Sequence, residues 1–142
     1  MILFGFGYES EKMSLELLED GTLIFRSGER KTVQSIGRHC LMRVRSIVDE
    51  HWEKLQRCGR EINAGTDPAE ENCFIFMDFR IVDWDLTRWY VEEDRKKHPE
   101  YYKNTVKVEL TENYVRGVFD EICSVLEEEE KQFRYMQTLI KI

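Results

Sequence analysis

The sequence is poor in residues that break or staple a chain, with two prolines, three histidines and four cysteines spaced 18, 15 and 50 positions apart. With so little proline and no Gly/Ser-rich stretch, a collagen-like chain, a disordered chain and a low-complexity linker are excluded. No run approaches the ~20 apolar residues that cross a bilayer. The apolar start, Ile2 to Phe6, is too short for a secretory core and has no basic residues before it. The expectation is a soluble, cytoplasmic protein. No C-x-x-C pair occurs, so Cys40, Cys58, Cys73 and Cys123 are expected as reduced, mostly buried thiols.

Familiar catalytic signatures are missing too. The chain has no H-E-x-x-H, no G-x-x-x-x-G-K-S/T, no G-x-G-x-x-G and no G-x-S-x-G. His39 and His51 fall on one expected helix, about 18 Å apart along its axis, and cannot share an ion. His51 borders an apolar stripe and is expected as a hydrogen-bonded packing residue. No metal and no cofactor are implied.

What remains is a chain of 142 residues, sized for one domain spanning 1–142. At this length about two thirds of the unfolded surface is buried on folding, so no staple is needed. The net charge of −7 is uneven: residues 1–59 sum to zero, 60–108 to −3 and 109–142 to −4. Such a field disfavours nucleic acid, whose phosphates need Lys and Arg. Arg38, Arg43 and Arg45 lie close together, but Asp49, Glu50 and Glu53 dilute them. A basic protein partner would instead be steered in.

Along the chain, Ile2–Tyr8 reads as a strand. Met13–Leu18 and Thr22–Ser27 form a hairpin around Glu19-Asp20-Gly21, with Leu15, Leu17, Leu23 and Phe25 on one face. Residues Ser35 to Arg57 carry apolar positions at spacings of three and four, an amphipathic helix with Gly59 just past its end. Residues 60–72 read as a loop and Cys73–Trp84 as one long strand. A helix is expected from Asp85 or Thr87 to Lys97. Thr105–Leu110 alternates like a strand, and Thr111 caps a last helix through Leu126. Glu127–Glu130 reads as a solvated helix face. The expected architecture is α+β: a mostly antiparallel sheet of four to five strands with two long amphipathic helices packed on one face.

Two features invite a functional reading. Ile81-Val82-Asp83-Trp84-Asp85-Leu86-Thr87 resembles the first motif of haloacid-dehalogenase-type phosphatases. That resemblance implies a nucleophilic aspartate and a second acid/base aspartate beside Mg²⁺. It covers seven residues, whereas the local reading makes Asp83 a strand end and Asp85 a helix cap. The second feature is an acidic, aromatic stretch holding Asp83, Trp84, Asp85, Trp89, Tyr90, Glu92, Glu93, Asp94, Tyr101 and Tyr102. Trp and Tyr give large rigid contact area, and carboxylates around them suit Lys and Arg on a partner. In size, acidic balance, α+β pattern and lack of a catalytic motif, the whole chain resembles immunity proteins of bacterial contact-dependent inhibition and polymorphic toxin systems. The resemblance implies a non-catalytic antitoxin that binds a basic toxin domain and engages neither nucleic acid nor membrane. The alternatives are an adaptor or homo-oligomeric subunit pairing through an exposed strand or the C-terminal segment 133–142, and an enzyme with a dispersed active site.

Overall fold

A computed structural model describes residues 1–8, 12–64, 72–83, 96–97 and 105–130, the last stretch with side chains from 111 onward. Six strands form one sheet: β1 (Ile2–Tyr8), β2 (Met13–Leu18), β3 (Thr22–Ser27), β4 (Arg30–Ser35), β5 (Cys73–Phe76) and β6 (Phe79–Val82). Their order is β4-β3-β2-β1-β5-β6, and every neighbouring pair is antiparallel. Two long helices, α1 (Arg38–Ala64) and α2 (Thr105–Glu129), complete the described elements. The fold is α+β with one strand more than the upper expectation. The helix expected to run to Lys97 lies almost wholly outside the described residues.

Strand pairing aligns the apolar positions on one face. Phe4, Phe6, Leu15, Leu17, Leu23, Phe25, Phe74, Phe76 and Ile81 are all buried and occupy matching register positions. The expected hairpin turn is present. Gly21 adopts φ +94°, and the Asp20 carboxylate accepts a 2.9 Å hydrogen bond from Thr22 N, an Asx-type closure. Phe119 of α2 lies over the middle of the sheet, with ring centroids 4.8–5.6 Å from Phe4, Phe6 and Phe74. Trp52 of α1 meets Phe79 edge-on at 6.3 Å. Both helices therefore cover the same sheet face. All four cysteines are buried, and none is in a disulfide.

Four local expectations need correction. Where one strand is expected over Cys73–Trp84, the described residues 73–82 form a hairpin, folded at Met77 and Asp78, whose φ angles are +47° and +62°. Phe76 pairs with Phe79, so the core face passes from even residues (Phe74, Phe76) to odd ones (Phe79, Ile81) across the turn. That switch explains why both parities look apolar in the sequence. The turn is tied down by Ile2 N donating to Asp78 Oδ1 at 2.7 Å. Strand β4 went unread because its residues are nearly all exposed, which leaves no alternation to detect. Residues 105–110 are the first turns of α2, not a strand; extending a helix is easier than nucleating a separate element.

The last correction concerns Gly59. It does not end α1 but lies buried inside it. A Cβ there would come within 2.5 Å of the Phe79 ring and 2.8 Å of Ile81 Cγ1. Glycine is thus what lets the helix backbone sit directly on β6. One turn on, Asn63 donates from Nδ2 to Arg80 O and accepts from Val82 N, both at 2.9 Å. Its carboxamide imitates a neighbouring strand and closes the β6 edge. Replacing Gly59 with Ala gains about 1 kcal/mol of helix propensity but overpacks the interface by about 1–3 kcal/mol. The expected net result is a lower urea midpoint for Gly59→Ala, and a still lower one for Gly59→Val.

Candidate functional site

Three polar arrangements stand out, one buried and two along the helix pair. The buried one begins where β6 ends. Asp83 is fully buried, its N–H donating to Asn72 O at 2.8 Å. Its Oδ1 accepts from Arg116 Nη2 of α2 at 2.7 Å. Arg116 also stands 3.6 Å from Glu112, itself buried, and 5.0 Å over the Phe74 ring. Burial opposes the guanidinium charge, yet the two carboxylates outweigh it and raise the Arg116 pKa. Burial raises the Tyr8 pKa strongly, and the charge of the nearby Asp83 carboxylate adds to the rise.

Asp83 was expected on a partner-binding surface, and its carboxylate is instead turned into the interior. A buried carboxylate requires a charged, hydrogen-bonded partner, and Arg116 provides it from the neighbouring helix. Trp84, Asp85, Thr87, Trp89, Tyr90, Glu92, Glu93, Asp94, Tyr101 and Tyr102 lie outside the described residues. Sequence reading missed Arg116, Glu112 and Tyr8. A signal was present, since Glu112 and Arg116 form an i,i+4 pair interleaved with the apolar positions Val115 and Phe119.

The second arrangement joins the helix ends. Helix α1 starts with no acidic residue in its first turn, although its N-terminal dipole favours negative charge. The carboxylates come from the other helix. Glu130 accepts from Gly37 N at 3.2 Å, Glu129 meets His39 Nδ1 at 2.7 Å, and Glu128 accepts from Arg43 at 3.0 Å. The run Glu127–Glu130, expected as a solvated face, is largely an interhelical clasp. The hydrogen bond from His39 lowers the Glu129 pKa. Cys40, beneath it, is pushed up to about 12 by burial, with the charge of Glu129 adding to the rise. Lower down, His51 Nδ1 lies 2.6 Å from the Tyr114 hydroxyl, as a packing histidine should. Its other nitrogen is 3.7 Å from Glu121, and Lys54 sits 4.1 Å over the Tyr114 ring.

Between clasp and histidine runs an open groove of about 470 Å³, lined by His39, Met42, Arg43, Ile47, Glu121, Val125 and Glu128 among others. Ile47 and Val125 form its buried apolar floor, and Met42 is 55% exposed at its side. Asp120, Glu121 and Glu128 are exposed on the α2 side. Residues 111–130, which are the later part of α2 and the residue after it, carry seven acidic side chains against one basic, so the acidity foreseen for the second half of the chain is concentrated here.

Among the described residues no three His, Cys, Asp or Glu side chains converge as metal ligands, and no helix is long and apolar enough to cross a membrane. No protein-family model, curated protein or solved structure matches the chain.

Two pH effects follow. Glu129 has a folded pKa below its ordinary 4.5, so the stability it contributes is complete above that value and is lost as pH falls through the lower folded one. Urea midpoints measured from pH 6 down to about pH 3 should therefore fall less steeply for Glu129→Gln than for the parent. Tyr8 behaves in the opposite sense: its folded pKa lies above the ordinary 10.0, so its contribution is complete below pH 10 and declines above it. Tyr8→Phe, which has no phenol to ionise, should show a smaller decline of the urea midpoint in alkali.

Proposed function

We propose that this chain is a non-catalytic binding protein of the immunity or antitoxin type, which neutralises a basic toxin domain by covering it. The observation that carries the reading is the groove between α1 and α2, with an apolar floor at Ile47 and Val125 and carboxylates at Glu121 and Glu128. An apolar floor with a charged rim is the usual division of labour in recognition: buried contacts hold the partner and charge steers it. Met42 adds an adaptable thioether at the side of the groove. Arg43, although it lines the groove, is engaged by Glu128 and Glu129, which leaves Asp120 and Glu121 to meet incoming Lys or Arg.

The Asp83 environment supports the same reading. A fully buried carboxylate bound to Arg116 has a structural task, unlike the solvent-facing nucleophile that the phosphatase-like motif implies.

The test is binding to the C-terminal domain of the protein encoded beside this one, followed by stopped-flow or surface resonance at several salt concentrations. Tight association that slows with salt is expected. Asp120→Lys with Glu121→Lys should reduce the on-rate about tenfold at low salt while leaving the fold intact. An unchanged on-rate would move the contact away from this groove. Absence of binding at low salt would contradict the immunity reading for that partner.

A further inference from the structure

The two edges of the sheet are treated differently. On β6, the outward groups Arg80 O and Val82 N are taken by Asn63. On β4, nearly every residue is exposed, and no described residue pairs with its outer side. Ladder geometry says which groups are open. The β3–β4 turn has two residues, Gly28 and Glu29, between paired Ser27 and Arg30, and Ile36 N donates to Gly21 O at 2.9 Å further along the same ladder. Bonded and non-bonded pairs alternate in an antiparallel ladder. Arg30, Thr32, Gln34 and Ile36 therefore bond toward β3, and the backbone groups of Lys31, Val33 and Ser35 point outward.

We propose that this edge pairs with β4 of a second copy of the chain, antiparallel about a twofold axis through Val33. In that register Val33 faces its own symmetry mate, and Lys31 faces Ser35 of the other copy in both halves of the pair. No like charges oppose each other, although β4 begins with two consecutive basic residues. Sliding the register until Lys31 meets its own mate would set cation against cation and shorten the pairing. Val33, a β-branched side chain 56% exposed, would be covered by its mate at the centre. Thr32 would stand beside Gln34 of the other copy on the opposite face. A twofold axis makes every such contact occur twice, and the two six-stranded sheets become one continuous sheet. The pairing leaves the α1–α2 groove open, since both helices lie on one face and the contact is edge to edge. A single six-residue strand pair is a small interface, so association is concentration dependent.

Sedimentation velocity from about 10 μM to about 1 mM, with amide exchange at both ends of the range, tests the proposal. The expected result is a monomer–dimer equilibrium in which the Lys31, Val33 and Ser35 amides gain protection as concentration rises. Val33→Lys, which places two ammonium groups at the twofold axis, should raise the dissociation constant by at least about tenfold with an unchanged urea midpoint. Val33→Pro removes a central outward N–H and should act likewise. A chain monomeric throughout the range would overturn the proposal. So would a dimer that persists in Val33→Lys, or protection that appears elsewhere while these three amides stay open.

Discussion

The structure depends on a carboxylate that has left water. Asp83 ends the edge strand β6 with its side chain fully buried, and that is tolerable only because Arg116 reaches it from α2 at 2.7 Å. The pair ties the C-terminal end of the hairpin to the helix that crosses the sheet. With Arg116 fixed over Phe74, Phe119 one turn on falls onto the aromatic centre made by Phe4, Phe6 and Phe74. The far end of α2 then reaches the start of α1, where Glu128, Glu129 and Glu130 supply the negative charge that α1 lacks in its own first turn. A helix placed by a buried pair at one end and a clasp at the other has its outer face fixed. That face is where the acidic residues stand.

Electrostatics thus does two separate tasks. Inside, opposite charges meet at short range among apolar side chains, and their value lies in placing α2. Outside, Asp120 and Glu121 are solvated, contribute little to stability, and act at longer range on whatever approaches. Burial also acts on the Cys40 thiol, which is pushed up to about 12, away from the thiolate form that reacts. The proposed immunity role and the proposed strand pairing use different surfaces, the helix groove and the β4 edge, and a dimer would carry two grooves.

The sequence made some of this legible because the physics was local. The β2–β3 hairpin follows from Asp20-Gly21 between alternating leucines, and the stripe of α1 from spacings of three and four. Features that depend on partners distant in the chain were hidden. Gly59 looks like a helix end until Phe79 and Ile81 are placed against it. Met77-Asp78 looks like strand until β1 supplies Leu3 O and Ile2 O to its two N–H groups at 2.9 and 2.8 Å. Asp83 looks like a surface or catalytic acid until Arg116, 33 residues away, is brought to it. The four glutamates look solvated until α1 turns out to begin with His39 and Arg43 opposite them. The groove could not be foreseen at all, because its walls come from two helices whose crossing no single segment encodes.

The most direct test of this account is a double-mutant cycle on the buried pair. Urea unfolding of Asp83→Asn, Arg116→Met and the double variant measures how strongly the two side chains act as one unit. If Asp83 is committed to Arg116, breaking the pair from the arginine side destabilises by about 3–5 kcal/mol. The double variant then regains part of that loss, leaving a coupling of at least about 1.5 kcal/mol. Losses that add within about 0.5 kcal/mol would contradict it, returning Asp83 to the pool of carboxylates open to chemistry and leaving α2 to be placed by packing alone.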